Sequence, residues 1–326
     1  MDLTRSSPAG AGRPWARVLL HRAAQALVVA LVVAVVSFAM LQSLPGDQAF
    51  RVAAGRYGYD LVDAAAAEAV RAELGLDRPT LQRLGAWLAD LARGDLGRSL
   101  VSGKPVWHEA LHELQGTLQL AAAAGALSLL LGLPVGVAAG LAPGGRVDRA
   151  SLAAAVVLRA LPPFVLALLL VIVFAVQLGA LPAAGSGHGG HLVLPACTLA
   201  LGLAALQARV ARDALVAVRQ SAWWAYARHK GLAERQVLLR HGLRNAALPL
   251  VALFGTQAVA LVEGVVIVET LFAWPGVGHG LVHAIFGRDV PMLQATALLL
   301  GLVFVGLNTA VDLAVLALDP RRRGRA

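Results

Sequence analysis

Residues Ala222 to Pro249 read AWWAYARHKGLAERQVLLRHGLRNAALP, a polar stretch set between long apolar runs. From Arg209 to Asn245 the positive charges are Arg209, Arg212, Arg219, Arg228, Lys230, Arg235, Arg240 and Arg244, against only Asp213 and Glu234. Gly231 divides the stretch into two helix-like segments. A basic, helix-forming insertion between apolar runs reads as a cytoplasmic loop of a membrane protein. Its exposed position suits docking on a soluble partner.

Working outward, hydrophobic residues make up 58% of the 326-residue chain and charged residues 14%. A soluble domain carries about 25% charged residues. Several apolar runs of about 20 residues complete the case for an all-α polytopic membrane protein. The net charge of +9 comes largely from arginine. In a membrane protein such charge marks cytoplasmic loops, and no nucleic-acid-reading motif accompanies it. Cys197 is the sole cysteine, so no disulfide within the chain can form.

Residues 1–16 are rich in Gly, Pro and Arg and read as a disordered cytoplasmic tail. The apolar run at 17–44 is too long for a signal peptide and reads as an uncleaved first transmembrane helix. Residues 45–115 form an outer region of balanced charge, with helical patterns at Asp63–Leu74 and Leu81–Ala92 and a turn at Gly94–Ser99. Within the core at 116–318, five further spans are expected: 117–141, 150–178, 192–210, 248–271 and 292–318. The cytoplasmic loop occupies 213–247, and the basic tail 319–326 closes the chain. Six spans place both termini on one side, together with the basic link at 142–149 and the loop. The positive-inside rule makes that side the cytoplasm.

No metal-ligand spacing is visible; His188 with His191, and His279 with His283, read as solvated loop histidines. Neither a phosphate-binding glycine loop nor a nucleophile elbow is present, so the residues give no basis for an enzyme. Charges inside spans are costly and become functional candidates. Arg159 lies about a third of the way into the third span, beside Pro162-Pro163, which should kink or interrupt the helix. Glu263 either lines a water-filled path, or pairs with a neighbour or snorkels. Asn308 and Asp312 share a face and are expected to bond to a neighbouring helix. Glu269 reads as a loop anchor. In the basic loop, Ser221 can cap a helix that is small on one face (Ala222, Ala225, Ala227) and cationic on the other. Such a helix fits a partner's groove, or lies on anionic lipid with Trp223 and Trp224 as anchors.

At this point the chain resembles a family. Tyr226-Ala227-Arg228-His229-Lys230-Gly231-Leu232, Glu234-Arg235, Arg240-His241, Leu243-Arg244-Asn245-Ala246 and Leu248-Pro249 are similar to the cytoplasmic signature loop of inner-membrane permease subunits of bacterial ATP-binding-cassette importers, in the dipeptide/oligopeptide/nickel branch. Ala225 stands where the wider family has glutamate, and the segment from Gly231 to Pro249 is longer than the short family form. Further similarity lies in Leu44-Pro45-Gly46-Asp47, Leu74-Gly75-Leu76-Asp77-Arg78-Pro79, Gly94-Asp95-Leu96-Gly97 with Ser99, and Thr117-Leu118. It continues through Glu269-Thr270-Leu271-Phe272, Trp274-Pro275-Gly276, Gly278, Arg288-Asp289, Asn308, Asp312 and Asp319-Pro320-Arg321.

The resemblance implies a six-helix, type I importer permease in the bacterial inner membrane. Its implied partners are a second permease, two cytoplasmic ATPase subunits that carry ATP and Mg, and a periplasmic or lipid-anchored solute-binding protein. The loop would supply a coupling helix, with Ala225, Tyr226, Ala227, Arg228, Lys230, Gly231 and Glu234 as its ATPase-facing residues. Arg159, Glu263, Asn308 and Asp312 would border the translocation path. The implied solute is a dipeptide or oligopeptide, with nickel or a nickel chelate as the alternative. A single-chain secondary transporter is the reading from a different class, and it expects internal repeats that the sequence does not show.

Overall fold

The structure, a computed structural model, describes residues 13–43, 46–58, 62–187 and 189–318. Thirteen α-helices run through them: α1 (Arg13–Ser43), α2 (Gln48–Tyr57), α3 (Ala64–Leu74), α4 (Thr80–Ala92), α5 (Val106–Leu141), α6 (Arg146–Ala160), α7 (Pro163–Leu170), α8 (Gly190–Arg219), α9 (Ala222–His229), α10 (Glu234–Val237), α11 (Leu243–Leu271), α12 (Val277–Phe286) and α13 (Val290–Leu318). Two wider π-helical turns continue α7 over Val171–Gln177 and lead into α11 over Leu238–Gly242. Among the described residues the only extended pairing is the isolated bridge Arg98–Pro105. Five helices are long and apolar enough to cross a membrane, or six if α6 and α7 count as one span bent by 105°.

Several boundaries differ from the sequence expectation, each for a local reason. Among the described residues α1 is helical from Arg13, with Pro14 accommodated in it, so the tail expected at 1–16 is helical over residues 13–16. The third span is two helices, since Pro162 and Pro163 offer no N–H to the carbonyls of Leu158 and Arg159. α5 runs 36 residues without a break, so the lead-in at Val106–Leu114 and the second span are one helix. α8 continues past residue 210 to Arg219. α11 takes in Leu243 to Pro249, so the polar stretch at 222–249 is helical in its last quarter. Residues 319–326 and the link at Leu44-Pro45 lie outside the described residues.

α5 and α8 form the central pair. Gly132, Gly136 and Gly140 recur every four residues on one face of α5. A Cβ at Gly136 would lie 2.5 Å from the Ala208 carbonyl oxygen and 2.6 Å from the Ala211 Cβ, and one at Gly140 would lie 3.0 Å from the Arg212 carbonyl oxygen. Small residues let helices approach closely where lipid supplies no hydrophobic drive between them. Deeper in this interface Gln207 Nε2 donates to Ser128 Oγ at 3.1 Å and to Gln257 Oε1 at 3.3 Å, joining α5, α8 and α11. α1 sits at the edge, against α13, where a Cβ at Gly301 would crowd Val29.

The starts of α12 and α13 are held by two buried carboxylates. Glu269, at the end of α11, is fully buried. Its Oε1 accepts from Thr117 Oγ1 on α5 at 2.6 Å, and its Oε2 accepts from the Gly278 N–H at 2.7 Å in the first turn of α12. Carboxylate at a helix N-terminus is a favourable pairing. Thr117 Oγ1 in turn accepts the Val277 N–H at 2.8 Å, and Trp274 Nε1 donates to the Gly116 carbonyl at 2.9 Å. Glycine at 276 and 278 is required because a Cβ there would overlap the Glu269 carboxylate or Val266. Asp289 acts likewise for α13: it accepts from Ser99 Oγ, from Leu100 N–H at 3.1 Å and from Met292 N–H at 3.3 Å. The turn at Gly94–Ser99 is thereby tied to the start of α13.

α2 and α3 pack Ala49, Val52, Ala53, Ala67, Val70 and Leu100 together. The sequence pattern did not indicate α2. It is capped by Asp47, whose Oδ1 accepts the Ala49 N–H at 2.9 Å; α3 is capped by Asp63 and ends on Gly75 at φ 56°. Arg56 grips Glu73 with two hydrogen bonds of 2.7 and 3.0 Å, which hold that carboxyl below its ordinary value.

Two stability tests follow from this packing. Gly136→Leu is expected to destabilise the folded chain by about 1–3 kcal/mol through overpacking against α8. Thr117→Val keeps the shape but leaves the Glu269 carboxylate and the Val277 N–H each short of a partner, at a cost of about 1–3 kcal/mol. Unfolding midpoints in detergent check both, and a midpoint equal to that of the unaltered protein would show the site relaxes at no cost.

Candidate functional site: the basic loop and the cavity at the α6–α7 bend

The loop is built on the end of α8. Its helix α9 turns two side chains inward: Trp224 and Ala227 are buried against Val237, with Val218 and Leu238 alongside. Spacing of three residues puts Trp224 and Ala227 on one helical face. Ala227 therefore belongs to the buried side and not with Ala222 and Ala225, as the sequence had suggested. Trp224, only 3% exposed, is likewise unavailable as a lipid anchor. The outward side carries Ala222, Trp223, Ala225, Tyr226, Arg228 and His229. Lys230 Nζ lies 4.7 Å from the centre of the Tyr226 ring, a cation–π contact that extends the exposed surface.

Ser221 occupies the N-cap position of α9, but its hydroxyl turns back to the Val218 carbonyl at 2.6 Å instead of capping. At the other end Gly231 adopts φ +82° and donates to the Arg228 carbonyl at 2.9 Å. That backbone reverses the chain into α10 and is a conformation L-residues rarely take. Nothing lies within 4 Å of where a Cβ would sit, so glycine is needed for its backbone alone. Glu234 opens α10 and is engaged within the chain: Arg219 Nη2 donates to its Oε1 at 2.8 Å.

Two anchors were not singled out in the sequence. Arg219 also donates to the Leu141 carbonyl at 2.7 Å, capping the C-terminal end of α5. Asp148, buried in the first turn of α6, accepts from Arg209 Nη1 at 2.8 Å, from Arg212 Nη2 at 2.9 Å and from the Gly144 N–H at 2.9 Å. These bonds fasten the α5–α6 link and the loop to α8. The available signal was a lone acid, Asp148, in an otherwise basic link facing a basic helix.

The intramembrane candidates separate. Arg159 is exposed in the last turn of α6 and lines a cavity of about 320 Å³ at the α6–α7 bend, bounded by α8 and α11. Asp312 accepts from Arg22 Nε at 2.9 Å, across the α1–α13 contact. Asn308 bonds the Phe304 carbonyl of its own helix at 2.9 Å, not a neighbour. Glu263 belongs to α11, and its side chain lies outside the described residues. His279 and His283 meet with Nε2 atoms 3.1 Å apart, at the rim of an outer pocket of about 530 Å³. His188 lies outside the described residues. Among the described residues, no group of three or more His, Cys, Asp or Glu could hold a metal ion.

The binding-protein-dependent transport system inner membrane component family matches residues 132–324, and its N-terminal membrane component family matches residues 15–121. The glutathione transport system permease protein GsiC of Pectobacterium atrosepticum is 39% identical over 293 residues, covering 90% of this chain and 94% of that one. A putative peptide transport system permease protein of Brucella abortus is 38% identical over 314 residues, covering 94% and 98%. Among solved structures, an inward-facing form of the MetNI methionine ABC transporter aligns with a TM-score of 0.55 and 22% identity, over 66% of this chain and 98% of that one; the likeness shows a shared fold. These matches leave no place for a single-chain secondary transporter or a membrane enzyme. The chain belongs to the family of binding-protein-dependent transport system inner membrane components, and is a multi-pass inner-membrane permease of the ATP-binding-cassette importer type.

Proposed function

We propose that this chain forms one side of the translocation path of an ATP-driven importer of small peptides, and that Ala222–His229 is the lever by which cytoplasmic ATPase subunits move it. The observation that carries this reading is the two-sidedness of α9. Its inner side is locked by Trp224 and Ala227, while its outer side offers small and aromatic residues to a partner. Gly231, Arg219 and Asp148 hold that helix as a projecting, braced unit. A docked lever needs rigidity rather than catalytic groups, and closure of the ATPases would move α9 and α8 as a body. The ATPase pair, with ATP and Mg, a second permease and a solute-binding protein complete the proposed assembly. The basic segments favour a cytoplasmic position for the loop and both termini. A peptide solute is favoured over nickel because the relatives above are named for peptides and for glutathione, itself a peptide. Of the path candidates, Arg159 fits best, because Asp312 is satisfied by Arg22.

The placement of the lever is tested at its hinge. Gly231→Val forces a β-branched residue to positive φ, at a cost of about 1–2 kcal/mol or more. Gly231→Asn enters that region more readily. The valine variant is expected to lose most ATPase co-purification and most ATP-driven uptake, and the asparagine variant to keep much of both. Full retention of both by Gly231→Val would place the lever elsewhere.

A further inference from the structure

Arg159 is the penultimate residue of α6, about 20 Å from the start of that helix at 1.5 Å per residue. α6 runs beside α8 from the Asp148–Arg212 contact to the level of Thr198–Leu203, and the cavity opens there. On its far wall Gln257 stands midway along α11. Arg159 is exposed and so open to a ligand, and a cation within a span is a functional candidate by default. Among the described residues Arg159 makes no ion pair and no hydrogen bond, while the buried Asp148 at the start of the same helix is held by Arg209 and Arg212.

The remaining polar side chains of the cavity, Thr198 and Gln257, are already engaged. The Thr198 hydroxyl donates to the Leu194 carbonyl at 2.8 Å. Gln257 accepts from Gln207 at 3.3 Å and donates to the Leu203 carbonyl at 3.5 Å. The rest of the wall is apolar, from Leu158, Leu161, Leu166 and Leu261. Besides the carbonyls of Leu158 and Arg159, which Pro162 and Pro163 leave without helical donors, the unengaged side chain of the cavity is the Arg159 guanidinium, with five N–H donors and a positive charge. A volume of about 320 Å³ lies within the range of small-molecule sites.

We propose that this cavity binds the carboxylate of the solute in transit, with Arg159 as its counter-charge. The inference rests on the importer reading above and adds the chemical feature that the path itself recognises. A carboxylate is planar with two acceptor oxygens, which a guanidinium engages in a two-pronged fashion. The apolar walls around it accept side chains without hydrogen-bond demands, which suits solutes that share a C-terminal carboxylate and differ elsewhere.

The test uses the complete assembly in lipid vesicles: this chain, its partner permease, the ATPase subunits and the binding protein. ATP-driven uptake of trialanine is compared with that of trialanine amide, which lacks the carboxylate. Arg159→Gln is expected to lower the acid-to-amide uptake ratio roughly tenfold, the scale of losing a charge-assisted contact. Arg159→Lys, a point charge without the fork, should recover part of it. Subunit ratios after purification should match those of the unaltered assembly. The inference is overturned if the ratio does not move. It is also overturned if Arg159→Gln sheds a subunit, which would assign Arg159 to a contact between chains. An unaltered assembly that imports neither compound removes the peptide-importer reading and this inference with it. Uptake of both compounds with an unmoved ratio removes the inference alone.

Discussion

The close contact between α5 and α8 is the constraint on which the basic loop of this protein depends. Lipid tails are as apolar as leucine, so two helices gain little by burying leucines against each other in a bilayer. What they gain comes from close packing, and close packing needs the absence of side chains along a stripe. Gly132, Gly136 and Gly140 supply it on α5, facing Ala204, Ala208 and Ala211 on α8. With the backbones in contact, Arg219 at the end of α8 reaches the last carbonyls of α5, and Asp148 just beyond α5 reaches Arg209 and Arg212. The loop that follows α8 inherits its position from that pair.

The outer end shows the same economy with a different device. Buried carboxylates at 269 and 289 each serve as the acceptor for backbone N–H groups at a helix start and for a hydroxyl from another segment. Each thus joins elements that are far apart in the chain, Thr117 with Glu269 and Ser99 with Asp289. Gly276 and Gly278 beside Glu269 are sterically forced, since a Cβ there would enter the space of the carboxylate or of Val266. Short motifs rich in Gly, Pro, Trp and acidic residues in an outer link are therefore the residue-level expression of these two joints.

Broken helix geometry at Leu161–Pro163 has the opposite character. It weakens the third span, bends it by 105° and leaves a cavity beside an unpaired arginine. A stability-driven sequence would place neither a double proline nor a cation there. Departures of this kind concentrate at functional positions.

The residues alone settled the class of the protein and the basic character of the loop. Apolar runs, charge asymmetry and helix-breaking prolines are local properties with a direct physical meaning in a bilayer. Glu269 as an anchor and Gly231 as a break were legible for the same reason, since each follows from a single residue's chemistry at a boundary. The partners of those residues were not legible. That Trp224 and Ala227 face inward, that Glu234 is held by Arg219, that Asp312 meets Arg22 and that Arg159 opens on a cavity all depend on helix rotation and on contacts between distant segments. In nearly uniform apolar helices the sequence period fixes rotation weakly. Only the packed tertiary structure, through the glycine stripe and the buried carboxylates, decided which side chain meets which.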